Sequence, residues 1–150
     1  MRRQNAIDII CFLFIVLFVY AAVSKLLDLE EFRLQIGHSP LLTDIAGFVA
    51  WFIPLTEVVI AVMLAIPVMR LAGLYAAFSL MVVFTAYIIS ILQFSESIPC
   101  SCGGVLQRLG WTEHLIFNCA FILLAFTGVL FEAKLKRSQP PSFIDSPDRN

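Results

Sequence analysis

IAGFVAWFIPLTEVVIAVMLAIPVMRLAGLYAAFSLMVVFTAYIISIL, residues 45–92, decides the architecture of this chain. It is two apolar runs, 45–69 and 71–92, broken only around Pro67 to Arg70. Each run is long enough for a helix to cross about 30 Å of hydrocarbon at about 1.5 Å per residue. A backbone surrounded by lipid must satisfy its own hydrogen bonds, so helix is the conformation to expect. The short break makes the two helices a tight antiparallel hairpin.

Two further runs of the same kind flank this hairpin, Ile7 to Leu27 and His114 to Phe131. The chain of 150 residues is 60% hydrophobic and 14% charged, against about 25% charged in soluble domains. A soluble fold of this size could not hide so much apolar surface. The expected fold is all-α: an integral membrane, up-down four-helix bundle over residues 1–133, with helices at 7–27, 45–69, 71–92 and 114–131. The bilayer is its first partner. The segment 134–150, with "SQPPSFIDSPDRN", reads as a disordered cytoplasmic tail. A net charge of −1 gives no reason to expect nucleic acid. Arg2-Arg3 before an apolar stretch, with Val19-Tyr20-Ala21 as a cleavage site, also fits a secretory signal. The run continues through Lys25-Leu26-Leu27, however, and its removal would leave three spans, so the first run is read as a helix of the bundle.

Basic residues set the orientation. Arg2, Arg3, Arg70, Lys134, Lys136 and Arg137 fall on one side, and Lys25, Arg33 and Arg108 on the other, diluted by acids. Both termini are therefore expected in the cytoplasm. The loops 28–44 and 93–113 then face outward, carrying His38, His114, Cys100 and Cys102. The expected location is a bacterial inner membrane, with the cysteine pair on the periplasmic side.

"SIPCSCGG", residues 97–104, places Cys100 and Cys102 one residue apart in a compartment where disulfides persist. Bridging i to i+2 needs a bend, which Pro99 and Gly103-Gly104 can supply. A small strained ring is the labile kind of disulfide, suited to exchange. A reactive thiol wants a positive or histidine neighbour, and His114 and Arg108 are at hand. "GVLQRLGW" has the look of a short interfacial helix, with Trp111 at headgroup level. Two other readings stay open: a structural pair in a non-enzymatic scaffold or assembly factor, and a metal site built from Cys100, Cys102, His114 and His38.

Within the spans, Glu57 is the sharpest feature. A lone carboxylate at the bilayer centre costs about 2.5–3.5 kcal/mol on insertion scales, so it must be paired, protonated or wet. Pro54, one turn before it, removes a helical hydrogen bond. Three uses of Glu57 are open: moving protons, holding the head of a quinone, or locking the bundle. No residue pattern assigns a quinone site. Lys25 lies about 12–15 Å above Glu57 along the helix axis, which argues against a direct salt bridge and favours Thr85 as the partner. Asn118 reads as interhelical glue, on a face shared with His114, Phe117 and Phe121. Cys119 is a candidate resolving thiol, though buried cysteines are ordinarily small hydrophobes. Cys11 has less claim. Gly73-x-x-x-Ala77 allows close helix contact. The phenylalanines read as bulk in lipid.

With "SKLLD" closing the first helix, "PLTEVVIAVML" in the second, "FTAY" in the third and "CSCGG" before the fourth, the chain resembles the MauE family, within the wider DoxX-like group. The likeness spans about residues 7–131. That family commonly shows a Cys-Gly-Cys-Phe-Gly pattern where this chain has Cys100-Ser101-Cys102-Gly103-Gly104. The resemblance implies a four-helix membrane fold and a role in thiol–disulfide traffic with a periplasmic thioredoxin-like protein. For members tied to methylamine metabolism, it implies maturation of the methylamine dehydrogenase light subunit. On that reading Cys100 and Cys102 exchange disulfides, while His114, Glu57, Lys25, Thr85 and Asn118 handle protons or support the bundle.

Overall fold

The computed structural model describes residues 2–37, 43–94 and 111–138. These form α1 (Arg2–Leu27), α2 (Leu29–Gly37), α3 (Ala46–Ala65), α4 (Arg70–Phe94) and α5 (Trp111–Ser138). Short 3-10 turns, Thr43–Ile45 and Pro67–Met69, lead into α3 and α4. α1, α3, α4 and α5 each carry a stretch long and apolar enough to cross a membrane. They pack in a ring, each mainly against two antiparallel neighbours: α1 on α3 and α5, and α4 on α3 and α5.

Buried positions recur at helical spacing. On α1 they are Ile7, Ile10, Cys11, Phe14, Phe18, Ala22 and Lys25, one stripe facing the axis. On α5 they are His114, Asn118, Ala125, Val129 and Glu132. The opposite faces are apolar too: Trp51 is 60% exposed, and Phe12, Leu55, Val83, Ile116 and Leu123 also point outward. Large apolar side chains on both faces suit lipid as solvent and would be costly in water. Lipid supplies no hydrophobic drive between helices, so close packing must hold them. Phe14, fully buried, meets Phe121 edge-on with centroids 5.3 Å apart.

Glycine permits the closest approaches. A Cβ on Gly128 would sit 3.1 Å from Ile10 Cγ2 and 3.2 Å from Leu74 Cδ2, so three helices converge there. A Cβ on Gly73 would lie 3.1 Å from the Leu64 backbone nitrogen. With fully buried Ala77 one turn on, the Gly73-x-x-x-Ala77 face is indeed a contact face. The hairpin itself turns on Ile66, held extended at φ −91° and ψ 114°, as the residue before a proline prefers. The Met69 N–H then donates to the Ile66 carbonyl at 2.9 Å.

Several element bounds differ from expectation, and three of the differences bear on the packing. The 28–44 loop contains α2, whose Phe32 and Ile36 pack on Ala46 and Ala50. Leu29, Phe32 and Ile36 form a short apolar stripe, and Glu30 and Glu31 occupy the helix's first turn, where acids complement the dipole. α1 begins five residues earlier than residue 7, at Arg2, with Gln4 and Asp8 one turn apart at 3.5 Å. α5 runs through Ser138, so residues 134–138 of the expected tail are helical. Lys136 Nζ donates to the Val68 carbonyl at 3.2 Å, joining this last turn to the hairpin. The rest of the expected tail lies outside the described residues.

Candidate functional site

A belt of polar side chains crosses the interior of the bundle at the end where α1 finishes and α5 begins. Its members come from all four long helices: Lys25, Glu57, Thr85, and the pair His114 and Asn118, all buried.

Lys25 and Glu57 form a direct ion pair, Nζ to Oε1 at 2.7 Å, with side chains only 6% and 7% exposed. This corrects the expectation from axial depth. Every Cα–Cβ bond in a helix tilts toward that helix's N-terminus. In antiparallel α1 and α3 these tilts are opposed, so Lys25 leans into the bundle and Glu57 leans out to meet it. Lys25 also lies 3.4 Å from the Ala21 carbonyl, one turn back along α1, which shows its stem folded inward. Thr85, the partner expected for Glu57, instead donates its hydroxyl to the Met81 carbonyl at 2.7 Å, the usual back-bond of a helical threonine. The Phe32 ring of α2 lies over the ammonium, 5.9 Å from centroid to Nζ. It caps the pair from the loop side and adds a cation–π contact.

The carboxylate of Glu57 is only half satisfied. Its Oε2 is buried without a hydrogen-bond partner among the described residues, and so is the Asn118 amide Nδ2. Among the described residues, the Asn118 amide nitrogen therefore takes no part in holding the helices together. One turn before it, His114 packs its ring against Phe84, centroids 6.1 Å apart at 64°.

The cysteines divide sharply. Cys119 follows Asn118 but faces outward, exposed, away from the belt. Cys11 is buried at the far end, among the charges of Arg70, Glu132 and Asp8. Cys100, Cys102, His38 and most of the "GVLQRLGW" segment lie outside the described residues; Trp111 opens α5. Among the described residues, no group of three or more His, Cys, Asp and Glu side chains could hold a metal ion. The metal set named from sequence depends on residues beyond them.

Sequence reasoning missed the Phe32 cap and a second ion pair, Arg70 to Asp8 at 2.6 Å, at the opposite end. The apolar stripe of Leu29, Phe32 and Ile36 was the available signal for the first. For the second it was the position of both charges at the same ends of their spans.

Three of the segments that carried the resemblance supply buried polar residues: "SKLLD" Lys25, "PLTEVVIAVML" Glu57 and "FTAY" Thr85; "CSCGG" lies outside the described residues. The family model described as methylamine utilisation protein MauE matches residues 3–131. A curated relative, methylamine utilization protein MauE of Paracoccus denitrificans, is 35% identical over 99 residues, which cover 63% of this chain and 53% of that protein. The matched region spans about half the length of that relative. No solved structure matches. With the family model covering nearly all of the four-helix region and the same helices converging on one polar belt, the chain belongs to the MauE family.

Proposed function

We propose that this protein is a membrane-embedded thiol–disulfide redox protein of methylamine utilisation, in which Cys100 and Cys102 exchange disulfides with a periplasmic thioredoxin-like partner. Both termini then face the cytoplasm and the cysteine pair faces the periplasm. The observation that carries the reading is the position of the polar belt. The segment bearing Cys100 and Cys102 leaves α4 at Phe94 and rejoins at Trp111, and His114 sits three residues into the helix that follows. Thiol exchange needs groups that take up and release protons beside the sulfurs. The buried Lys25, Glu57 and His114 provide such groups at the same end of the bundle. A spacing of one residue between the cysteines favours a labile bond over a structural staple.

Thiol trapping in intact cells tests this. A membrane-impermeant maleimide is expected to label Cys100 and Cys102 only after reduction. Labelling without reduction, or none under either condition, overturns the reading. Changing both cysteines to serine is expected to abolish substrate oxidation while leaving membrane abundance unchanged.

A further inference from the structure

The last turns of α5 carry an outward apolar stripe on into a charged one. Leu123, Thr127 and Leu130 follow one another at helical spacing and are all exposed, so they share one outer face. Lys134 and Arg137 extend the same spacing and are exposed too. Leu123 lies about 16 Å along the axis from Lys134, at about 1.5 Å per residue. That is about half of a hydrocarbon core of roughly 30 Å, the depth of one leaflet. An apolar track of that depth, ending in two cations, matches an amphiphile with an acyl chain and an anionic head.

The surroundings hold these cations in place and leave their charge uncompensated. Lys136, between them in sequence, donates to the Val68 carbonyl at 3.2 Å and fastens the last turn of α5 to the hairpin. Ser138 Oγ donates to the Lys134 carbonyl at 2.9 Å, which closes the helix end on itself. The acids at this end do not offset the rim: Asp8 is taken by Arg70 at 2.6 Å, and Glu132 is buried. Among the described residues at this end, the other exposed ionic side chains, Arg3, Lys134, Lys136 and Arg137, are all basic.

We propose that this face of α5 seats an anionic phospholipid of the leaflet at the hairpin end, its phosphate against Lys134 and Arg137 and one acyl chain along Leu130 and Leu123. Such a seat requires only a bilayer around the bundle. It is independent of the thiols and of which end faces the cytoplasm. Basic residues at a helix C-terminus also complement its dipole, but that role creates no preference among lipid head groups.

The test places the full chain in phosphatidylcholine liposomes with trace phosphatidylglycerol or phosphatidylcholine spin-labelled on an acyl chain. Electron paramagnetic resonance reads the fraction of each probe immobilised on the protein. Phosphatidylglycerol is expected to associate at least about fivefold more strongly, the equivalent of one basic residue's attraction to an anionic surface. Lys134→Gln/Arg137→Gln is expected to bring the ratio close to one. Arg33→Gln, an exposed basic position at the opposite end, is expected to leave it unchanged. Molar salt is expected to reduce the wild-type ratio by screening, whereas excess glycerophosphate, a head without a chain, is expected not to displace the lipid. Equal association of the two probes with wild type overturns the proposal. So does a preference that survives the double substitution or molar salt, that falls equally in Arg33→Gln, or that glycerophosphate abolishes. Should the double variant lose its helical signal, the salt and glycerophosphate arms on wild type decide.

Discussion

Arg70 and Asp8 meet at 2.6 Å at one end of the bundle, while Lys25 and Glu57 meet at 2.7 Å at the other. The two pairs look alike in distance and differ in burial. The Asp8 side chain is 47% exposed and that of Arg70 is 19%, whereas Lys25 and Glu57 are nearly closed to solvent.

Burial decides what each pair contributes. Exposed pairs contribute about 0–1 kcal/mol, so Asp8→Asn is expected to shift unfolding by less than about 1 kcal/mol. Removing one member of a buried pair strands the other, at about 3–5 kcal/mol, so Lys25→Met is expected to destabilise strongly. Adding Glu57→Gln to Lys25→Met removes the stranded charge and is expected to recover part of the loss. Reversible unfolding in mixed micelles measures all three, and equal effects of Asp8→Asn and Lys25→Met would refute the contrast.

Gly128 offers a test of packing. Its added Cβ would be 3.1 Å from Ile10 Cγ2 and 3.2 Å from Leu74 Cδ2, so in Gly128→Ala these two side chains must give way. Overpacking of this kind costs about 1–3 kcal/mol. Gly47→Ala is the control, because its Cβ would meet only the Arg33 side chain, at 3.6 Å. The same unfolding assay is expected to find the control close to wild type.

Phe32 covers the Lys25 ammonium. Phe32→Ala is expected to open the pair to water and cost about 0.5–2 kcal/mol, the range of cation–π contacts. Amine-reactive labelling of Lys25 is expected to accelerate. Unchanged labelling would mean that the ring does not shield the pair.

Orientation is tested with cysteines at exposed positions on opposite ends. Val68 in the hairpin turn is 82% exposed and Leu34 on α2 is 64% exposed. Impermeant maleimide is expected to reach Leu34→Cys in intact cells and Val68→Cys only after permeabilisation. The reverse pattern would invert the proposed topology.

The four long helices were legible because length and hydropathy alone specify a span. The hairpin was legible from Pro67 and Arg70, and the members of the belt from their polarity in apolar surroundings. What distance along the axis could not give was the pairing within the belt. Depth between Cα positions argues against Lys25 as a partner for Glu57 because it leaves out the opposed lean of side chains on antiparallel helices. α2 escaped because nine residues are too few to register as a span, although its apolar residues already repeat at helical spacing. The cysteine motif was the plainest signal in the chain, and its geometry is not carried by the described helices.

The turn at Ile66 to Met69 ties α3 to α4 in one tight hairpin. Glu57 therefore arrives with the hairpin, 32 residues of synthesis after Lys25. Until then α1 carries an uncompensated cation near its end, and neutrality is reached only on docking. A first helix without its hairpin thus keeps a bare ammonium, and the pairing of α1 with α3 is what neutralises it.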